Sequence, residues 1–478
     1  MEFGELLKKT LKENKVKITH LSSLIGMNRM AVYAVFNGEK KLPEDIFNLI
    51  LEKFEFSPAQ AAELNRLYYI NSISKERTQL LKTLKAEFES AGRAPFSPVM
   101  MFRDITPSPQ GVFLLGALDY YSAVKAFLES EGASEECEIF TNYSFLDTQT
   151  DCIVYDFICK NKPAFKLVHT VRMDCDVRIE ERLRNIFASV KFGKLGHPVF
   201  IANKEKNTVS FSTHFIGKKT VLQYDPQNEC GFLSAEPAVI SAYRLVASRN
   251  RQGEKPLTAY SDNAFELRSV LQPFQLSVSA VIEFKFPAAL FATPDILETA
   301  LKKTVPNRNV IFSAFQSHIS LFQKLAPCTL FSQHGIQSFA RTGVVYDASP
   351  FYLDPISLSN RKTLLERYKK NIAESGYSLK ILNSNNLQIF EGCELEIFEN
   401  GFALMFCNDS KPGGDFSGGC YILLDDKEIA GLFKDFYNYT LLSESVISQE
   451  YAQHLVNDLI SQCEAAINQR LPENGKGE

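Results

Sequence analysis

A turn at Gly26 constrains the fold of this chain more than any other feature. Leu21 and Ile25 fall on one face of a short helix, with small Ser22 where a second helix has to approach closely. Glycine adopts positive φ without strain, so Gly26 lets the chain reverse and begin a second helix within about four residues. Asn28 is the expected cap of that helix. From there the run RMAVYAVF sets Val32 and Val35/Phe36 inward and leaves Arg29, Met30 and Tyr33 outward near the helix start, and Asn37-Gly38 ends it. Two helices joined this tightly need others to cover their apolar faces, and the flanking sequence supplies them. Phe3, Leu6, Leu7 and Leu11 lie at helical spacing before the turn, and Ile46, Leu49, Ile50 and Phe54 after it. Ser57-Pro58 opens a further helix, Ser as cap and Pro as first helical residue.

On these residues the chain resembles the Cro-type, lambda-repressor-like (XRE) family of DNA-binding domains: Leu21-Ser22, Gly26-Met27-Asn28, Val32 and Asn37-Gly38 to Pro43 follow its spacing. The resemblance covers about residues 1–70. It implies a five-helix domain whose second short helix enters the major groove of double-stranded DNA. In such a domain Asn28, Arg29, Met30 and Tyr33 meet base edges, and Lys17, Thr19, Asn37, Lys40 and Lys41 meet phosphates. Phe36 stands where many members carry Glu, and the entry Lys17-Ile18-Thr19-His20 lacks the frequent Thr-Gln, so that family's Gln contact is not carried over. The alternative is a small helical bundle that serves protein contact. Charge favours nucleic acid: residues 1–41 carry eight Lys and Arg against four Glu. One module of this size buries too little surface for tight binding, which implies a homodimer on a two-fold site.

At 478 residues and 45% hydrophobic, the chain has material for about three domains. A net charge of −4 and a pI near 6.1 exclude a protein that coats nucleic acid along its length. No apolar run reaches the length of a membrane span, and the charged, amphipathic start MEFGELLKKTLKENK is unlike a secretion signal, so a cytoplasmic location is expected. The ten cysteines are scattered without a Cys-x-x-Cys or a zinc spacing, and are expected to be reduced and mostly buried.

The chain divides by pattern into residues 1–70, a helical connector with a Pro/Ser-rich linker at 71–110, and α+β subdomains at 111–260 and 261–470. The connector carries Lys75, Arg77, Lys82 and Lys85 opposite Leu80, Leu81, Leu84 and Phe88, and reads equally as a dimerisation helix or an ordinary packed one. Ala91 to Gly111 is the linker. Beyond it FLLGALDYYSAVKAFLESEG reads as helix, EIFTNYSFL, CIVYDFI and AFKLVHTVRM as strands, and RIEERLRNIFASV as helix. HPVFIAN, TVSFSTHF and KTVLQYD read as an antiparallel meander. Later RKTLLERYKKNIAESG is helical, SLKILN, LQIFEG, CELEIFEN and FALMFCN are strands, and YILLDDKEIAGLFKDFYNYTL is a strand entering a helix. That last piece aligns without gaps on FLSAEPAVISAYRL, pairing Phe232 with Ile422, Glu236 with Asp426, Val239 with Ile429 and Tyr243 with Phe433. The pairing reads equally as internal duplication or as coincidence, because an acidic first turn suits any helix. Duplication would place a ligand cleft between two subdomains about a pseudo-two-fold axis. That order of elements loosely resembles effector domains of bacterial one-component regulators, some of which use a catalytically dead phospholipase D-like fold. The final helix carries Ile447, Tyr451, Leu455, Leu459, Cys463 and Ile467 at its apolar spacing.

Catalytic motifs are missing. None of the seven histidines has Lys two positions on, which excludes phospholipase D chemistry, and no phosphate loop, nucleophile elbow or zinc helix occurs. KPGGDFSGG, 411–419, lies between strands and reads as a hairpin loop before a phosphate cradle. His169, His197 and His214 read as structural before metal-binding, and Arg244, Arg249, Arg251 and Lys255 as a solvated helix end before an anion site. The sequence thus leads to a multidomain α plus α/β mix: an all-α helix-turn-helix domain, then an α+β regulatory region of possible halves. The expected function is sequence-specific DNA-binding transcriptional regulation, with a small-molecule effector or partner sensed by the C-terminal region. Neither enzyme activity, cofactor nor metal is expected. The alternative is an enzyme of unrecognised type, or a protein-interaction scaffold, carrying a DNA-tethering helix-turn-helix.

Overall fold

The computed structural model describes residues 2–90, 101–132, 137–202, 212–261, 277–325, 327–345, 352–374, 379–389, 392–407, 419–443 and 445–470. The chain is mixed α/β with several domains. It separates into two units, one of Met1–Leu84 with Asp435–Val446, the other of Lys85–Lys434 with Ile447–Glu478. Among the described residues no helix is long and apolar enough to cross a membrane.

The first unit is all helical: α1 (Phe3–Glu13), α2 (Ile18–Leu24), α3 (Arg29–Phe36), α4 (Glu44–Lys53), α5 (Pro58–Ser72) and the start of α6 (Lys75–Ser90). Gly26 and Gly38 take φ of +65° and +74°, as the turns that bound α3 require. Asn28 caps α3, its side chain accepting from Ala31 N at 2.8 Å, and Ser57 and Gln60 close a capping box on α5. Phe3, Leu7, Leu11, Leu21, Val32, Val35, Phe36, Phe47 and Ile50 form one core. Phe36 is buried in it, which gives a packing reason for an aromatic where the resembled family often has Glu. α1 can lie against the end of α3 because Gly4 has no Cβ; one added there would overlap the carbonyls of Val35 and Phe36. The connector is broken at Ile73-Ser74 into α5 and α6, and Leu81 and Leu84 are buried, as in an ordinary packed helix.

The second unit holds two sheets. The first comprises β1 (Val112–Leu115), β2 (Glu138–Thr141), β3 (Lys166–Val171), β4 (Val199–Ile201), β5 (Thr213–Ile216), β6 (Val221–Asp225), β7 (Cys230–Ser234) and β8 (Lys255–Pro256), in the order β1-β7-β6-β5-β2-β3-β4-β8. The second comprises β9 (Thr258–Ser261), β10 (Ala280–Glu283), β11 (Cys328–Ser332), β12 (Leu379–Leu382), β13 (Cys393–Ile397), β14 (Phe402–Cys407) and β15 (Gly419–Leu424), in the order β12-β11-β10-β13-β14-β15-β9. The two repeat one plan. β2, β3 and β4 run parallel, as do β10, β11 and β12, and antiparallel strands continue from β2 and β10 on their other side. Even the starting register agrees: Glu138 pairs with Lys166, and Ala280 with Cys328. β7 runs into α10 (Pro237–Asn250) and β15 into α15 (Lys427–Leu441), with Glu236 and Asp426 at the two helix starts.

Parallel neighbours need crossovers, and this corrects one expectation. CIVYDFI is not a strand but part of α8 (Thr148–Asn161), which carries the chain from β2 to β3. Its start is fixed by Asp147, which accepts from Thr150 N at 3.2 Å. α9 (Ile179–Lys194) likewise joins β3 to β4. In the second sheet α11 (Pro294–Ala300) and α12 (Arg308–Leu325) precede β11, and α13 (Gln333–Thr342) and α14 (Leu358–Glu374) precede β12. HPVFIAN supplies β4 at the parallel end, so the meander is β5-β6-β7 instead. FLLGALDYY opens as β1 before α7 (Gly116–Gly132). Leu387–Ile389 of LQIFEG is irregular. Residues 91–100 of the linker, 411–418 of the glycine-rich loop and the tail from 471 lie outside the described residues. The last helix, α16 (Gln449–Arg470), buries Ala452, Val456, Leu459 and Cys463 against α14, while Tyr451 is exposed.

α9 of the first subdomain lies on β15 and β9 of the second. Gly193 permits this, since a Cβ there would overlap Cys420 Sγ. At the other end buried Arg182 pairs with Asp426 and, at 2.7 Å, with Glu428. The junction is closed by packing, so the expected cleft between subdomains is not formed there. Arg182→Ala is expected to lower stability by roughly 3–5 kcal/mol, the range for breaking a buried ion pair by removing one partner, whereas Glu428→Gln, on an exposed carboxylate, costs under about 1 kcal/mol. Denaturant unfolding of the full chain measures both, and equal effects would remove Arg182 from this role.

Candidate functional site

The residues expected to meet DNA all lie at the surface of the first unit. Asn28, Arg29, Met30 and Tyr33 on α3 are exposed, as are Lys17, Thr19, Asn37, Lys40 and Lys41 around it. The opposite face of α3, with Val32, Val35 and Phe36, is core. Met30 is 77% exposed, a long apolar side chain that nothing in the unit packs away. Some of the polar groups are already engaged. Asn28 Oδ1 is spent on the cap, which leaves its amide NH2; Asn37 Nδ2 donates to Glu39 at 3.1 Å and Lys41 Nζ to the Ser72 carbonyl at 3.2 Å. The surface therefore offers Arg29, Met30 and Tyr33 beside a capped helix N-terminus, whose amides and dipole favour an anion.

A second constellation, in the other unit, was hidden by reading CIVYDFI as strand. Asp151 on α8 is buried beside Arg184 of α9, whose Nη2 is 3.5 Å from its carboxylate. Arg184 also pairs with Glu87 at 3.1 Å and donates to the Phe145 carbonyl at 3.2 Å. Tyr143 Oη approaches Asp151 Oδ1 at 3.5 Å. Burial pushes the Asp151 carboxyl up to about 6, against the pull of Arg184 and Lys191. The same burial, with Arg184 nearby, lowers the buried Lys191 ammonium. Tyr121 is raised to about 12 by burial and then by Asp147. The local signal was the helix-start pattern Asp147-Thr148-Gln149-Thr150, which outranks the β-branched run behind it.

The histidines are not brought together. His169, on β3, is paired through Thr141 to Phe215, so it and the adjacent His214 fall on opposite faces of the first sheet. His169 packs against the rings of Tyr143 and Phe145, and burial lowers it to about 3. His197 accepts from Leu167 N at 3.0 Å and is lowered to about 4 by burial. Among the described residues no group of three His, Cys, Asp or Glu could hold a metal ion. The basic run is partly structural: Arg244 donates to the Glu138 and Gly217 carbonyls, and Arg251 pairs with Glu138 at 3.0 Å and covers the Phe200 ring. Against the expectation of buried cysteines, Cys159, Cys175 and Cys230 are exposed. An open surface hollow of about 440 Å³, lined by Thr106, Glu129, Ser130, Lys219 and Thr220 among others, belongs to the first subdomain alone.

No family model matches the chain, and no curated protein matches it. Among solved structures it is similar to a polyphosphate kinase from Porphyromonas gingivalis, with 10% identity and a TM-score of 0.23, over 74% of this chain and 53% of that one. The chain thus spans about half the length of that kinase. The expectation of a sequence-specific transcriptional regulator with a ligand-sensing region is not carried forward, since neither a family model nor a curated protein supports it. So slight a likeness brings no activity or substrate across.

Asp151 gives a test of its own environment. A carboxyl whose folded value is raised from 3.8 to about 6 favours the folded state at low pH, and that contribution disappears as pH rises through 6. Compared with Asp151→Asn, the native chain is expected to lose up to about 3 kcal/mol between pH 4 and 6. Melting curves of both proteins across that range check it; parallel pH profiles would mean the carboxyl is not perturbed.

Proposed function

We propose that the chain is a protein-interaction scaffold tethered to double-stranded DNA through α2 and α3. The observation that carries this is the display of Arg29, Met30 and Tyr33 on the outer face of α3, with Met30 77% exposed beside Lys17, Thr19, Lys40 and Lys41. The resemblance to the Cro-type family supports the same surface, as does the capped N-terminus of α3. Phosphate contacts would come from Lys17, Thr19, Asn37, Lys40 and Lys41, and base contacts from Asn28, Arg29, Met30 and Tyr33. The α/β body supports the scaffold half of the reading: Phe113, Leu115, Leu245 and Val246 are large apolar side chains at its surface. A second reading, an enzyme of unrecognised type, is favoured by the perturbed Asp151. The scaffold reading is preferred because Asp151, Tyr143 and His169 are all buried.

The test is anisotropy of labelled duplexes, one from upstream of the gene and one scrambled, titrated with the full chain over a salt series. Affinity is expected to fall steeply with salt. Arg29→Ala should weaken binding about ten-fold or more, corresponding to roughly 1–3 kcal/mol, and Lys40→Ala should weaken all duplexes alike. Binding that ignores salt, or that survives Arg29→Ala with Met30→Ala unchanged, would remove the tether.

A further inference from the structure

We propose that α3 selects a guanine and a thymine lying within two base pairs of each other, Arg29 pairing with the guanine and Met30 covering the thymine methyl group. This rests on the reading of α2 and α3 as a tether to double-stranded DNA, and it names the bases that the tether prefers.

The inventory of donors and acceptors on α3 leads there. In the major groove guanine presents two acceptors, thymine an acceptor and a methyl group, adenine an acceptor beside a donor, and cytosine a donor. A side chain that selects adenine has to donate and accept together, and one that selects cytosine has to accept. The outer face of α3 is poor in acceptors. Asn28 is of the residue type that pairs with adenine, but its Oδ1 already accepts from Ala31 N at 2.8 Å. Only its NH2 is left, so the two-bond pairing is closed to it. Arg29 has donors alone, and among the described residues none of them is engaged. From Asn28 to Gly38 the chain holds no Asp, Glu or Gln. Asn37 and Glu39 lie beyond the far end of the helix, bonded to each other at 3.1 Å. Tyr33 adds one hydroxyl that donates or accepts, which suits any base and so selects none.

The guanidinium fork matches the N7 and O6 acceptors of guanine with two bonds. Met30 is an exposed apolar side chain, and contact with a thymine methyl removes its surface from water, whereas cytosine offers no methyl group there. Arg29 and Met30 are adjacent at the start of α3, and Tyr33 follows on the same face. Those residues span about 6 Å of helix axis, at about 1.5 Å each, against about 3.4 Å between stacked bases. The two selected bases therefore fall within two steps of each other. Lys17 and Lys40, exposed around α3, add phosphate attraction that is indifferent to sequence.

The test begins with the full chain and a pool of duplexes randomised over about ten base pairs, the retained duplexes being sequenced. The tightest is remade with 7-deazaguanine, which lacks N7, at each guanine in turn, and with uracil, which lacks the methyl group, at each thymine. One guanine replacement is expected to weaken binding by roughly five-fold or more, and one uracil within two base pairs of it by about four-fold. Arg29→Ala is expected to lose the response to 7-deazaguanine, and Met30→Ala the response to uracil. Each variant is compared with itself on the two duplexes, so its loss of charge or surface cancels. Both positions are exposed, and unchanged melting shows that the fold is kept. Retention without base preference, a preference carried by adenine or cytosine, or a 7-deazaguanine response that survives Arg29→Ala overturns the base assignment and leaves the tether standing. A chain that retains no duplex removes the tether, and the assignment with it.

Discussion

The crossing of α9 over the second sheet is the contact on which the α/β body depends. α9 is built as a crossover of the first sheet, between β3 and β4, yet it lies on β15 and β9 of the other. Two features make that possible. Gly193 removes the side chain where the helix meets Cys420, and Arg182 ties the helix start to Asp426 and Glu428. A single added methyl group at 193 has no room, because interiors are packed as tightly as crystals. The ion pair, in turn, places a buried cation against the first turn of α15, where the acidic residues already suit the helix dipole.

The repeat of one sheet plan therefore does not produce two equal halves. α15 buries Ile429, Leu432 and Phe433, whereas α10, its counterpart, leaves Leu245 and Val246 about half exposed. The second sheet ends in a polar strand, β9, and the first in an apolar one, β1. The same helix that closes the junction also shelters Asp151 and Lys191, since Arg184 and Lys191 both project from α9. Perturbation of those groups is thus a by-product of packing as much as a mark of chemistry.

Much of the first unit was legible in the sequence because its determinants are local. Gly26, Asn28, Asn37-Gly38 and Ser57-Pro58 act through φ and through hydrogen bonds to residues two or three positions away. Apolar residues at a period near 3.6 then assign the buried faces, and the surface set around Arg29, Met30 and Tyr33 follows by elimination. Gly4 was not legible, because its reason is a carbonyl more than thirty residues away.

In the α/β body the sequence by itself determined most of the strands and the helix starts at Glu236 and Asp426, and left the likeness of residues 232–243 to 422–433 open between duplication and coincidence. It could not determine sheet order, because pairing partners lie far apart along the chain and period-two patterns do not name them. CIVYDFI is a helix where the start signal at Asp147 and the tertiary structure agree: parallel β2 and β3 need a crossover, and that requirement overrides β-branched propensity. The tertiary structure alone brought Asp151 to Arg184 and Arg182 to Asp426, since a charge becomes a buried partner through packing that no local pattern records. And it alone decided that Phe113 and Leu115 face solvent, because a strand in the middle of a sheet and one at its edge are written in the same residues.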